Sequence, residues 1–198
     1  MSVAGSDKTS LKQFISNTIS IDHDLLDQMT IPFKEKVIKK GELFLEEGKV
    51  SNEYLYLETG FMRSFLCDTE GNEVTLNFFS ANNVVFEVAS FFQRIPSQEN
   101  IQALSDCTGW MLNFDDLNAL FHNIPAFREF GRAQLVKGFI VFKSRTFAMI
   151  NKSAEQRYEA LMKYNPEILQ QAPLKYIASY LGITDTSLSR IRKEFAGK

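Results

Sequence analysis

The sequence predicts an α+β protein: an N-terminal β jelly roll (a double-stranded β-helix), one long helix and a C-terminal helix-turn-helix domain. Three observations predict it. Between residues 37 and 114, short β-prone runs are separated by turn residues roughly every eight to twelve positions, the rhythm of a sandwich or jelly roll. From Asp115 the apolar period changes to that of a helix. From Ala172 to the end, two short apolar-faced helices are separated by Gly182, with a polar and basic outer face on the second. The expected organisation is a β domain at residues 1–125, a dimerisation helix at 126–150 and a helix-turn-helix domain at 151–198.

Composition sets the class. The chain has 198 residues, 44% hydrophobic and 23% charged, an ordinary globular balance. Two Cys and two His are too few for a disulfide framework, a His-based zinc site or an iron–sulfur cluster, so no metal is expected. No apolar run is long enough to span a membrane, and the first ten residues lack an apolar signal core. A cytoplasmic protein is therefore expected. Charge is uneven: residues 1–150 carry 14 basic against 19 acidic residues, net −5, and residues 151–198 carry 8 against 5, net +3, together −2. A basic segment on an acidic body points to an anion-facing appendage.

In chain order, Leu11, Phe14, Ile15, Ile19, Leu25, Leu26 and Met29 recur at near-helical steps, with Asp22 or Asp24 as N-cap between two helices. VIKKGELFLEEGKV reads as strand, turn at Gly41, strand, turn at Gly48. EYLYLETG alternates Tyr54 and Tyr56 with Leu55 and Leu57. FMRSFLCDTEGNEVTLNFFS is two strands around a polar tip with Asp68 and Gly71-Asn72. NVVFEVASFF and ENIQALSDCTGWMLNF continue the β-prone series.

Asp115–Phe121 then reads as a short helix with acid at its positive end. Pro125 is placed to open the long helix. Leu135, Phe139, Phe142 and Met149 form one apolar stripe on it, and Val136, Ile140, Phe147 and Ile150 form another. Two stripes need two partners: the β domain for one, a second copy of the chain for the other. Residues 151–171 read as a helix broken at Pro166, with Ala160, Leu161 and Tyr164 inward.

In the C-terminal unit, Ile177, Ala178 and Leu181 face inward, Gly182 permits a sharp turn, and Thr184 is an N-cap. Leu188, Ile191 and Phe195 form the apolar face of the last helix. Asp185, Thr186, Ser187, Ser189, Arg190, Arg192 and Lys193 are left to project outward, a slim face suited to a DNA major groove. Arg190 offers a fork for guanine, Arg192 and Lys193 neutralise phosphates, and Thr184 and Ser187 donate to phosphate oxygens. Asp185 is discordant: it suits the helix dipole and repels phosphate, unless it accepts from a cytosine.

These residues resemble the Crp/Fnr superfamily of bacterial regulators. KKGELFLEEGKVSNEYLYLETGFMRSF is similar to the cyclic-nucleotide-binding-domain signature, and KYIASYLGITDTSLSRIRKEF resembles the helix-turn-helix of members from Bacteroidetes-type bacteria. The resemblance runs from about residue 10 to the C-terminus. It implies a homodimer that binds a near-palindromic site in double-stranded DNA, with RNA polymerase as a further partner. It also implies a cyclic nucleotide as the effector. The cassette of cyclic-AMP-binding relatives has Gly-Glu-Leu and, about ten residues on, Arg followed by Ser or Thr. The matching positions here are Phe86, Glu87 and Val88, then Ser97 and Gln98. Glu87 matches the ribose-binding acid, but Phe86 replaces the Gly and Ser97 the Arg, so the cyclic phosphate loses its counter-charge. Arg94, three residues earlier, is expected to be solvated. Poor cyclic AMP binding follows, and the cofactor is left unknown.

Two other function classes make different demands on the sequence. A ligand-binding regulatory protein acting through a protein partner would need the same β domain but no helix-turn-helix. An enzyme on a jelly roll would need a metal-holding His cluster or a nucleophile motif, and neither is in the sequence.

Overall fold

The computed structural model describes residues 7–196. The chain begins with α1 (Thr9–Ser16) and α2 (His23–Thr30). Asp22, not Asp24, caps α2, its side chain accepting from Leu25 N at 2.9 Å. Eight strands and one short helix follow: β1 (Lys34–Ile38), β2 (Leu43–Leu45), β3 (Glu53–Thr59), β4 (Phe61–Cys67), β5 (Glu73–Ser80), β6 (Asn83–Val85), α3 (Val88–Gln93), β7 (Asn100–Ala103) and β8 (Cys107–Asn113). They form two four-stranded antiparallel sheets, in the orders β1-β8-β3-β6 and β2-β7-β4-β5. This is the expected jelly roll. One segment departs from the strand series: residues 88–93 are helical, because Glu87 caps them through two backbone amides.

The β4–β5 turn is built by Asp68, whose Oδ1 accepts from Glu70 N and Asn72 N at 2.9 and 2.8 Å. These hydrogen bonds hold its carboxyl below the usual carboxylate range.

Alternation along the strands sorts side chains into stacked layers. Leu55, Leu57, Met62, Ile101 and Cys107 fill the space between the sheets. Tyr54, Tyr56, Trp110 and Leu112 point the other way, beneath α1, α2 and the helices that follow β8. The Tyr/Leu alternation of β3 is therefore buried on both faces, one under helices and one between sheets.

After β8 come α4 (Phe114–Asn123) and α5 (Pro125–Asn151), with Pro125 opening α5 as expected. The two helices meet where Gly131 faces the Phe121 ring, a place with no room for a Cβ. Phe127, Phe130 and Gly131 are the buried residues of α5. Beyond them its apolar residues no longer pack on the β domain. Both predicted stripes are open to solvent: Phe139 is 64% exposed, Phe142 66%, Ile140 57% and Ile150 79%. The expectation that one stripe packs on the β domain is thus corrected: its apolar packing ends at Gly131, while further along the polar side chains of Gln134 and Arg145 still reach Thr18 and Thr75.

The chain closes with α6 (Ala154–Tyr164), α7 (Pro166–Gln171), α8 (Leu174–Leu181) and α9 (Asp185–Ala196). Ser153 and Gln156 form a capping box at the start of α6. Tyr158 and Leu161 are its buried residues. Tyr164, expected inward, is 68% exposed because α6 ends there and the chain turns into Pro166. A third core cluster joins these helices to Phe61 and Phe78 on the outer face of the β2-β7-β4-β5 sheet.

Candidate functional site

The helix-turn-helix is assembled from local rules. α8 stops at Gly182, which has φ +65° and ψ +40°. Its N–H bonds Ser179 O and the N–H of Ile183 bonds Ala178 O, both at 3.0 Å, the double return of a glycine-ended helix. Thr184 then caps α9: its hydroxyl accepts from Ser187 N at 3.2 Å and donates to Ser187 Oγ at 3.0 Å. Leu188 and Ile191 are buried, and Phe195 meets the Tyr158 ring at 5.4 Å. Arg157 fixes the unit from α6, donating to Leu181 O at 3.1 Å and Lys152 O at 2.7 Å.

The opposite face of α9 is open. Asp185, Thr186, Ser189, Arg190, Arg192 and Lys193 are exposed, as is Thr184 before them, and Ser187 is half-buried against Thr184. Among the described residues, none forms an ion pair with Arg190, Arg192 or Lys193. One neighbour was not visible in the sequence. Glu155, at the start of α6, has its carboxyl below the usual range, through its own N–H and Ser153 first, with smaller contributions from Arg190 and Arg157. A charge at the first turn of one helix thus lies within electrostatic reach of an arginine near the middle of another.

The five cassette positions of the β domain have different fates. Phe86 lies between β6 and α3, its ring packed against Tyr54, Phe91 and Phe92 at 5.1–5.9 Å. Glu87 turns its carboxylate onto its own chain: Oε1 accepts from Ala89 N at 2.9 Å and Oε2 from Ser90 N at 2.5 Å. Both oxygens of the acid are therefore engaged. Ser97 is buried, its hydroxyl donating to Glu99 O at 2.7 Å and accepting from Glu99 N at 3.1 Å. Val88 and Gln98 are exposed. So the structure brings Phe86 and Glu87 together and leaves Val88 and Gln98 to solvent. Two surface depressions, of about 270 and 390 Å³, lie along β1, β2 and the turn before β3, and none of the five lines either.

Arg94, expected to be solvated, is exposed and is also anchored. It donates to Ser51 O at 2.9 Å, to Phe91 O at 3.2 Å and to Asn52 Oδ1, and its guanidinium lies 4.0 Å from the centre of the Phe114 ring. A carboxylate absent from the sequence reading lies within electrostatic reach of Glu87: Glu99, whose burial pushes its carboxyl up to about 6, with the Ser64 hydroxyl opposing and the Glu87 charge adding to the shift. The signal for it was the alternation Glu99, Ile101, Ala103, in which the last two are buried.

Residues 35–123 match the family described as cyclic nucleotide-binding domain. No curated protein sequence matches the chain. Among solved structures, the c-di-GMP-responsive global regulator CLP of Xanthomonas campestris matches with a TM-score of 0.70 and 13% identity, over 89% of this chain and 92% of that one. FixK2 of Bradyrhizobium japonicum matches at 0.69 and 16%, over 83% and 85%. A crp/fnr-family structure from Eubacterium rectale matches at 0.67 and 15%, over 91% and 88%. The chain has the Crp/Fnr fold.

Within that fold, the sequence reading also passed over a charged residue of the seam between jelly roll and head. Arg63 of β4 is 1% exposed. It pairs with Glu73 at 2.6 Å, donates to Gln102 at 2.9 and 3.2 Å, and lies between the rings of Phe65 and Tyr176. Its strand opens with FMRSF, buried at all five positions, which in this Crp/Fnr architecture means jelly-roll core on one side and the α8 helix on the other.

Proposed function

We propose that this protein is a homodimeric transcription regulator that binds double-stranded DNA through α9, acts in the cytoplasm and is not an enzyme. The observation that carries the reading is the two-sided character of α9. Leu188 and Ile191 seal one side, and the other presents Thr, Ser, Arg and Lys, with no ion pair on the basic residues among the described residues. In this reading Arg190 contacts base edges, Arg192 and Lys193 contact phosphates, and Thr184, Thr186, Ser187 and Ser189 line the groove wall. Asp185 is placed at the groove edge, where only an amino donor such as cytosine N4 suits it.

The bare stretch of α5 supports pairing of two chains, since the residues of its two apolar stripes are 41–79% exposed. Two paired heads would read half-sites of a near-palindromic operator about 34 Å apart. RNA polymerase is the further partner such a regulator engages.

The β domain is read as a sensor fold that does not take cyclic AMP in the usual way. Glu87, the acid that would hold a ribose, is spent on Ala89 and Ser90, Phe86 fills the space beside it, and no arginine stands at Ser97. The test is retardation of the protein's own upstream DNA at low salt, followed by a salt titration. Binding that weakens linearly in log salt supports the reading. No retardation at low salt would favour a regulator acting through a protein partner.

A further inference from the structure

We infer that Arg63 and Arg145 are positioning residues: they lock the DNA-reading head onto the jelly roll in one orientation and so set the half-site spacing the dimer accepts. The inference rests on the DNA-binding reading above.

The head is held along one seam. The N–H of Thr75 on β5 donates to Ser179 Oγ on α8 at 2.8 Å, and that hydroxyl donates to Glu73 O at 3.3 Å. Phe78 of β5 packs on Tyr180 at 5.2 Å and on Phe61 at 5.5 Å. Into this contact the protein inserts two guanidinium groups. Arg63 rises from the sheet, tied to Glu73 and Gln102, with Tyr176 of α8 stacked at 3.5 Å. Arg145 comes from α5, lies 4.4 Å from the centre of the Tyr180 ring, and donates to Tyr180 O at 3.0 Å and Thr75 O at 3.5 Å. It thereby joins the long helix, the sheet and the head at one point.

Apolar contact alone lets two surfaces slide, because it has no direction. Guanidinium forks have fixed geometry and lose it on small rotations. The seam also keeps polar atoms that packing would exclude. Arg63 Nη1, Thr75 Oγ1 and Arg145 Nε are three of the five buried side-chain polar atoms without a hydrogen bond among the described residues. Polar groups kept at such a cost fit a role in specifying orientation rather than adding stability. The docked head leaves the outward face of α9 exposed, so this orientation is one in which DNA can be read.

A head fixed to its body tolerates one separation of the two half-sites; a head on a loose tether tolerates several. The experiment uses the full chain, with Arg63→Met and Arg145→Met, each keeping most of the apolar bulk. Operators with one or two base pairs inserted between half-sites are compared with the unaltered operator, and the head amides are followed by hydrogen exchange. Wild type is expected to lose affinity sharply on insertion. The variants are expected to lose about tenfold on the unaltered operator, as the competent orientation becomes a minor population, while discriminating less between spacers and keeping the same salt dependence. Faster exchange in α8 and α9 accompanies this, with the jelly roll unchanged. Variants that keep wild-type spacer discrimination and head protection would overturn the inference. If Arg63→Met does not fold, Arg145→Met decides alone. If wild type retards no DNA, the DNA-binding reading fails, and the exchange comparison then decides only whether these arginines lock the head.

Discussion

Ser179 of α8 accepts a hydrogen bond from the N–H of Thr75, 104 residues away on β5, and returns one to Glu73 O. One hydroxyl of the helix thus satisfies both a donor and an acceptor on the β5 edge. Ser179→Ala leaves a part-buried N–H without its partner, and is expected to cost about 1–3 kcal/mol. Chemical denaturation of the full chain measures it. An unchanged midpoint would show that water replaces the hydroxyl.

Phe139→Asp and Phe142→Asp address the pairing of chains. Each residue is about two-thirds exposed in the single chain, so neither substitution disturbs a packed neighbour. A charge on the bare face is expected to shift sedimentation from dimer to monomer, with the helical signal of the rest of the protein retained. A variant that still sediments as a dimer would place the dimer contact elsewhere.

Two substitutions on α9 separate reading from holding. Arg190→Ala is expected to cost about 1–3 kcal/mol on the operator while leaving non-specific DNA nearly unaffected. Lys193→Ala is expected to weaken all sequences alike and to reduce the salt slope by about 1. Competition with unrelated DNA across a salt series distinguishes them.

Cyclic AMP is expected to leave thermal unfolding unmoved at millimolar concentration. A ligand at a hundredfold its Kd would add about 2.7 kcal/mol, a shift of a few degrees for a chain of this size. Such an upward shift would show that Glu87 abandons Ala89 and Ser90 for a ribose.

Glu99 makes stability depend on pH. Its folded-state value of about 6 lies above the ordinary 4.5, so the native state holds the proton more tightly between those values. Stability therefore rises as pH falls from about 7 to about 4.5, by an amount on the order of 1–2 kcal/mol. Glu99→Gln is expected to flatten this segment of the stability curve and to raise the melting temperature at pH 7. A wild-type curve that falls steadily over the same interval, with Glu99→Gln parallel to it, would contradict this.

Much of this architecture was legible because local rules agree with the fold. Gly182, Thr184, Leu188 and Ile191 each occupy a position with one mechanical requirement, and the head forms as those requirements dictate. Pro125 and the Asp68 turn were legible for the same reason. What escaped was what depends on distant partners. FMRSF reads as a one-sided strand until α8 arrives to cover Arg63. Glu87 reads as a ligand residue until its carboxylate is seen to close on the helix it begins. The α5 stripes were visible, but periodicity cannot say where a helix parts from its own domain.

The long helix, sheltered as far as Gly131 and with its apolar stripes open beyond, has one more consequence. If a second chain supplies its missing neighbours, abundance becomes an input in its own right. In dilute conditions the paired form grows with the square of the free chain, by mass action. A modest change in synthesis would then act on target sites more steeply than in proportion, with no small molecule involved.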